Sequence, residues 1–183
     1  MSMRISRQIG ILALAIAAAA SAAAQSASGT LNVVLQNGSG LQMVINSDSS
    51  GVTLGGAGTS NATLAFGTIS AYGTAPANVT ITDQASTFTA TTYFDVNVQE
   101  SGLTTPSNGY TLSADLTSLI PGVTLEIDST SLTTTPQNLA GTGVYATNVQ
   151  HSISAVVSTA SGSSGPTTGS ALTATINLVA TSN

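Results

Sequence analysis

The sequence predicts an all-β protein, an antiparallel sandwich or barrel of about eight to nine strands. Three observations carry this. Apolar and polar residues alternate with a period of two over much of the chain, most plainly from Phe88 to Gln99. Turn signals recur at short intervals, among them Asn37-Gly38, Asn108-Gly109 and Pro121-Gly122. No segment beyond residue 24 has a helical hydrophobic period, and Thr and Val, whose branched side chains suit a pleated strand, are abundant.

Residues 1 to 24 are expected to precede the folded part. Arg4 and Arg7 lead into an apolar, alanine-rich run that ends at Ala22-Ala23-Ala24. A charged start, a short apolar run and a small-x-small site together read as a secretory signal peptide. Cleavage after Ala24 would leave Gln25 first, and residues 25–183 would form one secreted domain. With 183 minus 24 residues, such a chain buries roughly 70% of its unfolded surface, enough for one core without disulfides. The chain has no cysteine. After cleavage no segment is long and apolar enough for a membrane helix.

The strands follow in order. Leu31, Val33 and Leu35 share one face, as do Leu41, Met43 and Ile45. A three-residue loop, Asn37-Gly38-Ser39, would pair Leu35 with Leu41, Val33 with Met43 and Leu31 with Ile45. Shorter strand signals lie at residues 62 to 67 and 78 to 83. The longest runs from Phe88, with Ala90, Thr92, Phe94, Val96 and Val98 on one face. Tyr110, Leu112, Ala114 and Leu116 make the next. Pro121-Gly122 is placed as a type II turn requires, and leads to Val123, Leu125 and Ile127, with Thr124, Glu126 and Asp128 expected outward. A late strand is expected over residues 144 to 157 and a last one over residues 172 to 178. Residues 158 to 170, rich in Ser and Gly, are expected to form a long loop.

Charge narrows the function. Both cations other than His151 lie in the leader, so seven acids set the charge of the remainder. Phosphate neutralisation needs Lys or Arg, which argues against nucleic acid. Attachment to anionic lipid is excluded on the same ground. His151 shares the inward parity of Ile153, Ala155 and Val157 and reads as a structural or edge histidine. The G-x-S-x-G turn of a serine hydrolase is absent. Glu126 with Asp128, or Asp95 with Asn97, offers oxygen ligands two residues apart, but calcium takes roughly six to eight oxygens and no loop gathers them. No enzyme activity, metal or cofactor is expected. Asn37, Asn61 and Asn78 stand in glycosylation sequons, which a Ser/Thr-rich chain produces by chance.

Sheet proteins commonly protect edge strands with lysine, and this chain has none. The strands at its two ends, TLNVVLQ and LTATINLVA, are uncharged. They can pair with each other or with neighbours in one sandwich, or they can add to another copy. The Ser/Thr/Gly-rich body, the stretch ATLAFGTI with Leu64-x-Phe66-Gly67, and the closing ATINLVATSN resemble secreted bacterial fimbrial (pilin-like) subunits and spore-coat-U-type proteins. Such proteins often carry a disulfide, which is missing here. The resemblance implies an immunoglobulin-like sandwich that polymerises by strand exchange at the cell surface. The assembly residues would then be Leu31, Val33 and Leu35 with Leu172, Ala174, Ile176 and Leu178. The expected partner is a second copy of the chain, in a homopolymer, with a secretion chaperone as a further candidate. The resulting expectation is a non-enzymatic structural subunit of an extracellular or cell-surface filament or coat. The alternative is a monomeric secreted module that binds polysaccharide or a host surface, with a patch near Tyr93 or the loops.

Overall fold

The strand alternation read above places most inward residues correctly. In the computed structural model, which describes residues 25–33, 40–100, 109–139, 141, 143–158 and 171–183, eleven strands are formed: β1 (Gln25–Val33), β2 (Leu41–Ser47), β3 (Asn61–Ile69), β4 (Thr80–Gln84), β5 (Thr87–Glu100), β6 (Tyr110–Leu116), β7 (Val123–Ile127), β8 (Thr130–Ser131), β9 (Gln137–Asn138), β10 (Asn148–Ser158) and β11 (Ala171–Ser182). Among the described residues there is no helix, so none is long and apolar enough to cross a membrane. The leader-like segment, Leu35, the Asn37-Gly38-Ser39 loop, Asn108 and residues 159 to 170 lie outside the described residues.

Two sheets enclose one apolar core. One has the order β3-β1-β11-β6-β9. The other runs β2-β5-β10-β7-β8, with β4 also paired to β5. All pairings are antiparallel except β1 with β11. β5 is the spine of the second sheet. Phe88, Ala90, Thr92, Phe94, Val96 and Val98 all point inward and are buried, as the alternation predicts. The same holds for Tyr110 to Leu116 on β6 and Val123 to Ile127 on β7. Two-residue β8 and β9 carry too little pattern to be read from sequence.

Thr92 is a polar residue at an inward position, and two contacts explain it. Its hydroxyl donates to Asn78 O at 2.8 Å and accepts from Val52 N at 3.0 Å. It sits where β2 has left the edge of β5 and β4 has not yet joined it. Asn78 Nδ2 in turn donates to Gly51 O at 2.8 Å. A Cβ on Gly51 would lie 1.9 Å from Tyr93 O, so only glycine permits this approach.

The motif Leu64-x-Phe66-Gly67 marks a bulge. Between Ser26 and Ser28 of β1, β3 moves from Thr68 to Ala65, one residue more than its partner. Gly67 takes φ +74°, which favours glycine. The extra residue shifts the inward parity, so Ala62, Leu64 and Phe66 are buried and then Ile69 is too.

Three expectations are corrected. The hairpin pairing Val33 with Met43 and Leu31 with Ile45 does not form: β1 lies in one sheet and β2 in the other, where Met43 opposes Val98. A period-two pattern says which face is buried, and consecutive strands of a sandwich can satisfy it in opposite sheets. The late strand starts at Asn148, because residues 143 to 146 instead tie the sheets together at one end. There, Gly143 and Tyr110 exchange backbone hydrogen bonds of 2.8 and 3.1 Å, and Ala146 N donates to Val98 O at 2.8 Å. Asp128 is not on the outward face of β7 but in a turn, described below. The Pro121-Gly122 turn is as expected: Val123 N donates to Ile120 O at 3.1 Å and Gly122 has φ +73°.

Exposed edges are covered by crossing chain instead of by charge. On one side, Ile45 N donates to Thr59 O and Gly58 N to Ile45 O, while Gly55 pairs with Thr63 of β3. On the other, Leu132 N donates to Leu125 O on β7, then Thr133 O accepts from Leu116 N and Leu139 N donates to Leu112 O on β6. Each crossing segment satisfies the edges of both sheets, which offers a device other than lysine for blunting them.

Candidate functional site

The two strands at the ends of the described chain meet in the middle of the five-stranded sheet. β1 lies between β3 and β11, parallel to β11 with Leu31 opposite Ile176 and Val33 opposite Leu178. It is antiparallel to β3, with Leu31 opposite Ala62 and Thr30 opposite Thr63. β1 is the one strand joining β3 to the rest of that sheet. On the β11 side, Ala174, Ile176 and Leu178 are buried in the core and Leu172 packs against it. Of the seven assembly residues expected from sequence, Leu31, Val33, Leu172, Ala174, Ile176 and Leu178 therefore fall on one paired ladder, Leu172 opposite Ala27. Leu35 lies outside the described residues.

The ladder is asymmetric in composition. β11 and β3 carry buried Ile, Leu and Phe, whereas the first five residues of β1 are Gln25-Ser26-Ala27-Ser28-Gly29. Small polar strands specify their register weakly and are the ones prone to alternative pairing. The backbone of β1 is paired on both sides, to β3 and to β11.

His151 and Asp128 form the second cluster. β7 and β8 are joined by a two-residue turn, Asp128-Ser129, with φ of +49° and +63° and Ile127 paired to Thr130. This is the signature of a type I′ hairpin, and Asp tolerates it. The turn brings the carboxylate onto β10. Asp128 Oδ2 lies 2.6 Å from His151 Nδ1, and Oδ1 accepts from Ser152 N at 2.9 Å and Ser152 Oγ at 3.3 Å. Burial alone would raise the Asp128 pKa, but the hydrogen bonds from His151 and Ser152 and the charge of His151 outweigh it and leave the carboxyl below its ordinary value. The imidazole is buried, its ring centroid 5.7 Å from that of Phe94. Nε2 is enclosed without a hydrogen-bond partner. The serine hydroxyl contacts the carboxylate and not the imidazole, so this arrangement ties a turn to a strand.

The outer face of the second sheet is polar. Asn148 Oδ1 accepts from Asn97 Nδ2 at 2.9 Å and Asn46 Nδ2 at 3.3 Å, and Asn148 Nδ2 reaches Asp95 Oδ2 at 3.4 Å. Burial raises the Asp95 pKa and the nearby charge of Asp48 adds to it. Asp48 itself is held below its ordinary value by the Ser50 hydroxyl and backbone N–H. Among the described residues no group of three or more His, Asp or Glu gathers as a metal site would need.

At the end where β5 begins and β10 finishes lies an open groove of about 430 Å³. It is lined by Leu116, Leu119, Ile120, Val123 and Val156 with the hydroxyls of Thr87 and Ser158, and no lining residue is ionisable. Leu119 is largely exposed there, and Tyr72, in the loop after β3, is 85% exposed. Tyr93, which the sequence suggested for a binding patch, is half-buried on β5 instead. Comparison with known proteins finds no matching family model, no matching curated protein and no matching solved structure.

Proposed function

We propose that this chain is a secreted, non-enzymatic structural subunit of an extracellular or cell-surface filament or coat, whose copies are joined by exchange of β1. The observation that carries the reading is the position of β1. It is the first described strand, it carries no charge, and yet it fills a central place between β3 and β11. Once residues 1 to 24 are removed, β1 is attached to its own body through one connection, and a strand so attached can be supplied by a second copy at little change in energy. The leader-like residues 1 to 24 support export, and a secretion chaperone that holds the slot before assembly belongs to the same proposal. So does an immunoglobulin-like sandwich, supported by chain that passes repeatedly between two sheets sharing one core.

Deleting residues 25 to 36 tests the reading. The expected outcome is loss of assembled particles in light scattering and electron microscopy, with an added peptide of residues 25 to 36 filling the empty slot and leaving the chains separate, because a free strand links no two copies. Assembly of the deleted chain at the level of the parent would overturn it.

Exposed Tyr72 favours a second reading, a monomeric module that binds polysaccharide. An aromatic ring with a polar tip offers a stacking surface for sugar. Under that reading Tyr72→Ala abolishes retention on a polysaccharide column and leaves particle size unchanged.

A further inference from the structure

We infer that exchange of β1 closes chains into reciprocal pairs and does not by itself extend a head-to-tail filament. The inference rests on the exchange reading above and follows from where the connection leaves the fold. β1 ends at Val33, beside Asn61 at the start of β3 and Leu178 near the end of β11. The next strand begins at Leu41, opposite Glu100 at the end of β5. Both points belong to one end of the sandwich, the end that Gly143 and Ala146 tie together through Tyr110 and Val98.

Consider a copy that gives its β1 to a neighbour. The strand enters the slot in the same direction as in the single chain, so its Val33 emerges at that same end of the neighbour. The donor's Leu41 must lie within reach of it. From residue 33 to residue 41 there are eight Cα–Cα steps, which span at most about 26–29 Å when fully extended. A head-to-tail stack separates equivalent ends by the length of a sandwich. The twelve residues of β11 alone measure about 40 Å at roughly 3.3 Å per residue. The connection falls short of that separation. The donor's like end must therefore lie close to the end of the slot it fills, and placing two copies about a two-fold axis there lets each fill the other's slot. Both exchanges are then met by one two-fold arrangement, which is closed. A filament or coat of this protein is accordingly built from pairs, and its growth contacts lie outside the β1 slot.

The chain has no cysteine, so an introduced pair reports cleanly. Thr63 directs its backbone N–H and C=O to Gly55, away from β1. The Thr30–Thr63 pair is therefore a non-hydrogen-bonded pair of an antiparallel ladder, with the close Cα approach, about 4.5 Å, that a disulfide accepts. The variant Thr30→Cys/Thr63→Cys is expressed with its own leader, and the assembled fraction is oxidised and run on a denaturing gel without reductant. The expected result is a band at twice the chain mass with no ladder above it. A ladder of three, four and more chains would overturn closure into pairs while leaving β1 exchange standing. A band at the single-chain mass would overturn exchange itself, and closure with it. Asn32→Cys/Asn61→Cys, the neighbouring pair of the same parity, gives the same reading if the first variant fails to fold.

Discussion

β5 and β1 are both central strands, and they hold their places by different means. β5 buries every second side chain over its length, pairs with β10 on one edge and with β2 and β4 on the other. A slip of one residue would turn Phe88, Phe94, Val96 and Val98 out to water, so its register is fixed by its own sequence. β1 begins as Gln-Ser-Ala-Ser-Gly and is flanked by two apolar strands. Its backbone is paired on both sides, to β3 and to β11, and the proposed exchange asks a second copy to offer the same pairing. A strand whose alternation fixes its register is bound to its own chain, whereas the exchange proposed for β1 requires a strand whose register its own side chains fix weakly.

Substitutions at and around the two strands break or sharpen this contrast. The largest effect is expected at the spine. Phe94 is fully buried against His151, and Phe94→Ala should destabilise by about 3–5 kcal/mol in urea unfolding. A loss under half of that would mean that the spine tolerates a large cavity. Thr92→Val keeps the shape but strands the Val52 N–H and the Asn78 C=O, for an expected loss of about 1–3 kcal/mol at unchanged m-value.

The tie between the β7–β8 turn and β10 comes next, and it has a pH sign. The folded pKa of Asp128 lies below its ordinary value of 3.8. Its contribution is therefore full above 3.8 and is lost as pH falls through the lower folded value. Asp128→Asn should lower stability at pH 7 by about 1–2 kcal/mol, with parent and variant converging in acid. A gap between them that stays constant with pH would show that the carboxylate charge is not what matters. The smallest effect is expected in β1, where Ser26→Ala with Ser28→Ala should shift stability by less than about 0.5 kcal/mol. A loss above about 1 kcal/mol would place β1 with β5 as a strand held by its side chains, and would remove the basis for lending it.

Much of the fold was legible in the residues. Inward faces of β5, β6, β7 and β10 follow directly from alternation, while His151, which alternation left between an inward and an edge position, is buried. The turn at Pro121-Gly122 follows from backbone chemistry. The candidate site was legible only in part. Uncharged terminal strands marked where to look, but nothing in Leu31 or Ile176 reveals that they oppose each other in parallel. The Asp128–His151 contact was hidden because Asp128 continues the outward parity of Thr124 and Glu126, and only the left-handed turn reverses it. Gly67 stood out as a motif without a mechanism, since a bulge is visible only against the partner strand that lacks the extra residue.

The sequence by itself determined which side chains face a core, the absence of Lys and Arg after residue 7, and the resulting reliance on hydrogen bonds and packing, with His151 the one side chain left that can pair with an acid. The tertiary structure decided which strands are neighbours, which edges are covered, and which end of the sandwich β1 leaves from. The division has a physical cause. Alternation and turn chemistry act over a few residues and are written locally. Strand pairing is made of backbone groups that every strand shares, so the choice among partners rests on the packing of the whole core and the reach of the connecting chain.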